Sequence, residues 1–468
     1  MTMTLIQPQP IPDFSSLGHV HFIAIGGAGM SGVASGFLAR GAQVSGSDQH
    51  DSEILTVLRE QGATVWVGHD PSHLDGVDTV VVSTAVHEGN PELAEARRRG
   101  LPVIHRSLAL ASLIGCHEAI CVAGTHGKTT TSAMCVVGLS HAGDPSYVIG
   151  GTLLDTGTGA HIGTGCAFIV EADESDGSFL QYPTQVAVIT SVDADHLDNW
   201  GTPAHYAQGF EAFATGDAVG LVILDADNQG ARELGEKLKD QGRAVMTYGE
   251  SEGCDVRLTQ ITLNGFGAEA LLTYGDWSTR LKVNIPGVHN LHNAAAAFCV
   301  GEVLEVDRDE LIADLATFHG TARRFQRVGE VGGITVVDDY AHHPTEVAAT
   351  IAAARAAADG GRVIVCFQPH LFSRTQIFAD DFGAALAKAD QVVVLDVYPA
   401  REEPIEGVTG ELVADAVRVH GGKVTYVPNL DDAVAALAPL ARPGDLVLTV
   451  GAGSVTTLGP MVLQALEH

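Results

Sequence analysis

The chain has 468 residues, room for about three domains that each bury a core of their own. Its formal charge of −31, from 57 acidic against 26 basic side chains, argues against a nucleic-acid surface, and no stretch approaches the length of a membrane span. Seven scattered cysteines without a close pair read as reduced core residues, and Met1 to Asp13 lacks a basic region followed by an apolar one, so a soluble, cytoplasmic protein is expected.

In chain order, the first third repeats short apolar runs separated by helical patterns: His19 to Ile25, Gln43 to Ser47, Thr64 to Val67, Thr79 to Ser83 and Val103 to His105. This rhythm predicts a parallel, Rossmann-like α/β domain over residues 1–115. Its first turn, Gly26-Gly27-Ala28-Gly29-Met30-Ser31-Gly32, is a GxGxxG after a strand, and Asp48 ends the second strand where a ribose-binding acid belongs. The same geometry holds any pyrophosphate, so a nucleotide diphosphate and a nicotinamide dinucleotide both remain open.

A second domain, residues 116–320, opens with the apolar run Ala119 to Ala123, then Gly124-Thr125-His126-Gly127-Lys128-Thr129-Thr130, then an amphipathic helix. That is a nucleotide phosphate cradle for ATP or GTP. Backbone N–H groups and the helix N-terminus supply positive charge, Lys128 can reach the β- and γ-phosphates, and the Thr129 hydroxyl can hold Mg²⁺. Val122 stands where longer loops carry a further glycine, so the match is to the shortened GTxGKTT form. Cys166 to Glu171, Val186 to Val192 and Leu221 to Leu224 read as further strands, Val256 to Ile285 as a small antiparallel excursion, and Asn290 to Glu305 as an Ala-rich helix. Two acidic turns, Glu171 to Asp176 and Asp193 to Asp198, follow strands beside the cradle. They provide carboxylates for a phosphate-bound Mg²⁺, and His196 lies in the second.

A third α/β domain, residues 321–468, has strands at Thr335 to Val337, Arg362 to Phe367, Gln391 to Asp396, Lys423 to Val427 and Asp445 to Val450. Ligands of open α/β sheets gather outside the carboxyl ends of strands. Those ends carry Asp338, Asp339, Tyr340, His342 and His343, then His370 and Arg374, then Asp396 and Tyr398, then Gly451, Gly453 and Ser454.

Nine segments in register, GGAGMSG, GTHGKTTT, EADESD, DADHLDNW, GVHNLHNAAAA, RRFQ, DDYAHHPTEV, QPHLFSRT and DVYPAREEP, cover nearly the whole chain. The combination resembles the Mur ligases. The resemblance implies three domains, each a mainly parallel sheet flanked by helices: a Rossmann-like UDP-sugar domain, a central P-loop ATPase, and a Rossmann-like C-terminal domain that admits the amino acid and closes over ATP. It implies ATP- and Mg²⁺-dependent joining of L-alanine to the lactyl carboxylate of UDP-N-acetylmuramate through an acyl phosphate, in peptidoglycan precursor synthesis. A tripeptide-adding ligase of wall recycling and, from the first turn alone, an NAD-dependent oxidoreductase are the alternatives. Partners are then the two substrates, with no nucleic acid or membrane, in a monomer or weak homodimer.

Carried over residue by residue, the resemblance gives ATP to Gly124, Thr125, His126, Gly127, Lys128, Thr129, Thr130, Asn290, Asn293, Arg324, Asp339 and Tyr340. Lys128, Glu174 and His196 are the implied catalytic residues, and Thr129, Glu174 and His196 the implied Mg²⁺ ligands. Gly27, Gly29, Met30, Ser31, Asp48, Arg106 and His126 would hold the UDP-sugar, and Tyr340, His342 and Arg374 the amino acid. There are two departures to note. Leu371 stands where many members carry a second arginine, and no lysine lies between Lys128 and Lys237. Later ligases of the pathway use a carbamylated lysine for the second Mg²⁺, so its absence is similar to the alanine-adding member.

Overall fold

Val20–Ile23 is buried at every residue, as a strand covered on both faces of a parallel sheet must be. In the computed structural model, which describes residues 5–400 and 402–467 and only the backbone of Ala28, Ala142 and Asp198, this strand is the centre of a five-stranded sheet. Thr64–Val67, Val44–Asp48, Val20–Ile23, Thr79–Val82 and Val103–His105 lie in that order, all parallel. The first strand has a later strand on each side, so the topological switch point falls at its carboxyl end, where the turn Gly26–Gly32 begins. The start of the N-terminal segment, Met1 to Thr4, and Arg401 in the segment after Asp396 lie outside the described residues.

The second sheet repeats the plan. Val245–Gly249, Leu221–Asp225, Val186–Ile189, Glu118–Ala123, Ala167–Glu171 and Ser146–Val148 are parallel in that order, with Ala160–His161 antiparallel on the last. Glu118–Ala123 again leads the domain and again sits between later strands. It feeds the helix Lys128–Gly138, whose sequence KTTTSAMCVVG, rich in β-branched residues, is a weak helix former. Burial of nine of its eleven residues, Thr129 to Cys135 among them, holds it in place of propensity. Val256–Asn264 joins the sheet beside Val245–Gly249, and Gly267–Tyr274 and Trp277–Val283 follow through two-residue turns, which require antiparallel pairing. This is the expected excursion.

The third sheet places Gln326–Val331 antiparallel on Ile334–Asp339, followed by Leu446–Val450, Val363–Phe367, Gln391–Val394 and Val424–Tyr426, all parallel. The edge strand Gln326–Val331 and the strands Ser146–Val148, Ala160–His161 and Val245–Gly249 have no counterpart among the predicted runs.

The chain forms two compact units. One takes the described residues up to Thr259 with Leu272–Thr279 and His292–Leu315, and holds the first sheet and the parallel part of the second. A continuous apolar core runs through it from Leu17 to Leu238, with Phe22, Phe37, Phe168, Phe179 and Phe210 fully buried at about 2–3 kcal/mol each. The other unit takes Gln260–Leu271, Arg280–Leu291 and Ala316 onward, with the third sheet. Among the described residues no helix is long and apolar enough to cross a membrane. All seven cysteines are free, but Cys116 and Cys166 are exposed and Cys254 is half-buried, so only four are core residues. The expectation of seven core thiols is corrected because Cys116 and Cys166 flank strand starts and do not lie within them.

Candidate active site

The phosphate loop follows Ala123. Gly124 and Gly127 have φ of +138° and +83°, which side chains other than glycine resist. A Cβ on Gly124 would run into the Thr190 side chain and come within 2.9 Å of the Ser191 N–H, and one on Gly127 would lie 2.8 Å from Asn293 Oδ1. Thr125 is pinned to the second acidic turn: its hydroxyl donates to Asp193 O at 2.8 Å and accepts from Asp193 N–H at 2.9 Å. The His126 N–H donates to Ser191 Oγ at 2.9 Å, and its Nε2 lies 3.8 Å from Asp193. The buried Thr130 and Thr131 continue the helix, and Thr131 donates to Asn293 Oδ1 at 3.0 Å.

The first acidic turn divides its carboxylates among three partners. Glu171 accepts from Thr129 Oγ1 at 2.9 Å and from Gly150 N–H at 2.7 Å. Glu174, with a fully buried side chain, has Lys128 Nζ 3.0 and 2.9 Å from its two oxygens, and Lys128 also donates to Gly124 O at 2.6 Å. Asp173 accepts from Arg106 at 2.9 Å. Burial opposes the charge on Lys128, but Glu174, Asp173 and Glu171 outweigh it and raise its pKa. The same lysine cannot fully compensate three carboxylates. Burial therefore wins at Glu174 and raises its pKa, while at Asp173 Arg106 and Lys128 overcome burial and lower it.

His196, at φ +52° before the short helix Leu197–Trp200, has its Nε2 3.8 Å from Glu174. Trp200 Nε1 donates to Glu174 O at 2.9 Å. Asp198 belongs to the same turn, but its side chain lies outside the described residues. Thr129 stands with Glu171 at 2.9 Å and His196 with Glu174 at 3.8 Å, two pairs that together offer one hydroxyl, two carboxylates and one imidazole. The buried carboxylate and hydroxyl oxygens suit a hard divalent ion such as Mg²⁺.

The glycine turn of the first sheet is built differently. Gly26 N–H donates to Asp48 Oδ2 at 2.9 Å, so the acid expected to meet a ribose also braces the turn. Gly27 caps the helix Ala28–Ala39, with buried Met30 and Ser31 in its first turn. Arg106 lies against this turn, since a Cβ on Gly29 would be 2.8 Å from its Nη1. One guanidinium thus spans Gly29 and Asp173, and it links the two predicted nucleotide sites. Behind the sheet, Glu92 is fully buried among His21, His69, His73 and Ser47, with His73 Nδ1 at 2.7 Å and Trp66 stacked on His73. Burial would raise the Glu92 pKa, yet the His21 ring 3.5 Å away and the hydrogen bonds from Ser47 and His73 bring it down to about 2.

In the second unit, Asp339 accepts from Phe325 N–H at 2.7 Å and Ala341 N–H at 2.8 Å, and burial pushes its carboxyl up to about 6. Tyr340 lies under the Arg323 and Arg324 guanidinium groups, 4.7 and 5.0 Å from its ring centre. His342 packs edge-on to Tyr340 at 5.3 Å, and burial pushes its pKa down to about 3. Arg374 is buried, and His370 is stacked on Tyr398 at 5.8 Å. Asp338 is turned away into Thr449 and Thr456 at 2.6 and 2.7 Å, so it braces the sheet. Leu371 is buried at φ +70°, a conformation that leucine holds only under constraint, immediately before the helix Phe372–Leu386. Asn290 Nδ2 donates to Pro286 O at 2.7 Å.

Residues 19–116 match the model of the Mur ligase family catalytic domain, residues 122–301 the Mur ligase middle domain, and residues 323–453 the Mur ligase glutamate ligase domain. The chain belongs to the Mur ligase family. Among relatives, it is 56% identical over 468 residues to the UDP-N-acetylmuramate–L-alanine ligase of Cutibacterium acnes, with 99% of each chain covered. The crystal structure of UDP-N-acetylmuramate-alanine ligase MurC from Thermotoga maritima matches it with a TM-score of 0.82 at 28% identity, over 96% of this chain and 98% of that one. A murein peptide ligase from Psychrobacter arcticus, with a TM-score of 0.71 at 24% identity over 96% and 99%, shares the fold.

Proposed function

We propose that this enzyme joins L-alanine to the lactyl carboxylate of UDP-N-acetylmuramate at the expense of ATP. The observation that carries the reading is that Arg106, against the Gly29 turn, is bonded to Asp173 of the same acidic turn whose Glu174 pairs with Lys128, so one acidic turn serves both a pyrophosphate turn and a phosphate loop. A carboxylate oxygen of the sugar attacks the γ-phosphorus and ADP leaves. The neutral amine of alanine then attacks the acyl carbon, and inorganic phosphate departs with the former carboxylate oxygen and takes up the proton that the nitrogen loses as the amide forms.

In this reading Gly124, Gly127 and Thr130 face the triphosphate, Thr125 and His126 hold the loop in shape through their bonds to Asp193 and Ser191, and Lys128 is shared between the triphosphate and Glu174. Asn293 keeps Thr131 of the same helix in place. Thr129, Glu174 and His196 would hold Mg²⁺, which supplies charge neutralisation at the phosphates. Gly27, Gly29, Met30, Ser31 and Asp48 serve the uridine diphosphate, with Arg106 and His126 on the sugar side. In the second unit Asn290, Arg324, Asp339 and Tyr340 are assigned to the nucleotide, and Tyr340, His342 and Arg374 to alanine. His342 stays neutral at physiological pH, so it acts as a hydrogen-bonding partner and not as a store of protons.

Domain limits at 115/116 and 320/321, a cytoplasmic setting, which free thiols suit, and a monomer or weak homodimer belong to the same proposal. Phosphate release measured with UDP-N-acetylmuramate and, in turn, alanine, glycine, serine or tripeptide tests it. Release is expected to need both the UDP-sugar and alanine. Release with tripeptide alone would transfer the assignment to the recycling reaction.

A further inference from the structure

Tyr206 is 1% exposed and lies on the helix Pro203–Ala214, outside every segment singled out from the sequence. Its ring is fixed edge-on between Trp200 and Phe210, with centroids 5.9 and 5.2 Å away. Its hydroxyl is 3.0 Å from Thr125 Oγ1 and 3.4 Å from Glu174 Oε1. With Thr125 Oγ1 donating to Asp193 O, the single phenolic proton of Tyr206 is left to serve both Thr125 Oγ1 and Glu174 Oε1. One phenolic proton is therefore shared between the phosphate loop and the buried carboxylate. The other titratable groups around this point are Lys128 and His196, both facing Glu174, and Asp173, Asp193 and Asp195 of the acidic turns.

We propose that Tyr206 is a positioning residue for ATP, whose hydroxyl fixes the separation between Thr125 and Glu174 so that the carboxylate stays aimed when Lys128 turns from it to the phosphates. The inference rests on the ligase reading for its nucleotide. A rigid aromatic side chain suits the task because its oxygen cannot follow the carboxylate without moving the packed ring.

The test compares Tyr206→Phe, which removes one oxygen and keeps the ring, with Phe210→Leu, which loosens the same aromatic cluster and keeps the hydroxyl. Equilibrium binding of a fluorescent ATP analogue with Mg²⁺, thermal melting, and kcat and KM for each substrate are measured on the full chain. Tyr206→Phe is expected to weaken Mg-nucleotide binding about tenfold, the scale of one hydrogen bond to a charged group. Its KM for the UDP-sugar should stay unchanged. Phe210→Leu is expected to lower the melting temperature at least as much while leaving nucleotide affinity within about twofold. Nucleotide affinity of Tyr206→Phe within twofold of wild type would overturn the proposal, and so would an equal loss in Phe210→Leu. Wild-type phosphate release indifferent to the UDP-sugar and alanine would instead sink the ligase reading, while the binding comparison would still decide the role of Tyr206.

Discussion

The first unit contains two glycine-rich turns made by the same backbone device. Each leaves the first strand of a parallel sheet at its switch point and opens a helix. What separates them is the charge delivered by neighbouring strands. Gly26–Gly32 has no lysine and is braced by Asp48, whereas Gly124–Thr130 carries Lys128 paired with Glu174 and under the field of Asp173 and Glu171. A glycine turn provides only donors and room. In the proposed function, the acidic turn after the adjacent strand is what separates a turn that holds phosphate from one that makes it react.

Lys128→Ala attacks the difference directly, and turnover should fall by about 10²-fold or more while affinity for the UDP-sugar stays nearly intact. Turnover assays beside equilibrium binding of the sugar nucleotide check it. Equal loss in both would mean that the turns work as one site. Gly124→Ala comes next: its φ of +138° and its contact with Thr190 should cost about tenfold in ATP affinity, read by nucleotide titration. Gly29→Ala meets only the Nη1 tip of Arg106, whose Nη2 stays anchored on Asp173, so a fall of only about threefold in UDP-sugar affinity is expected, with little change in ATP binding. A large effect there would make the first turn as rigid as the second.

The smallest effect concerns the support behind the first turn. The folded pKa of Glu92, about 2, is below its ordinary 4.5, so its contribution to stability is complete above pH 4.5 and is lost as pH falls towards 2. Thermal melts of Glu92→Gln should show a loss of about 1–3 kcal/mol at neutral pH and a weaker acid dependence than wild type. An acid limb that matches wild type would assign that dependence to other groups.

The parallel sheets and both turns are legible in the sequence because buried strands read as continuous apolar runs ending in glycine or acid. The run Val20–Ile23 and the loop at Gly124 are clear cases. Short edge strands such as Gln326–Val331 carry polar residues on one face and leave no such run. The acidic turn was legible as a row of carboxylates beside the loop, but not its division of Glu171 to Thr129, Asp173 to Arg106 and Glu174 to Lys128. That division depends on how the chain turns after Ala167–Glu171, which no residue pattern encodes. Tyr206 was hidden for a related reason: an aromatic in a half-apolar helix looks like core until its oxygen is placed.

The two exposed thiols have a practical use. Cys116 and Cys166 sit where the strands Glu118–Ala123 and Ala167–Glu171 begin, and the first of these runs about 20 Å before it reaches the phosphate loop. They are ready attachment points for maleimide dyes at the quiet end of the ATPase sheet. Labelling there gives spectroscopic reporters that need no engineered cysteine and do not crowd the chemistry.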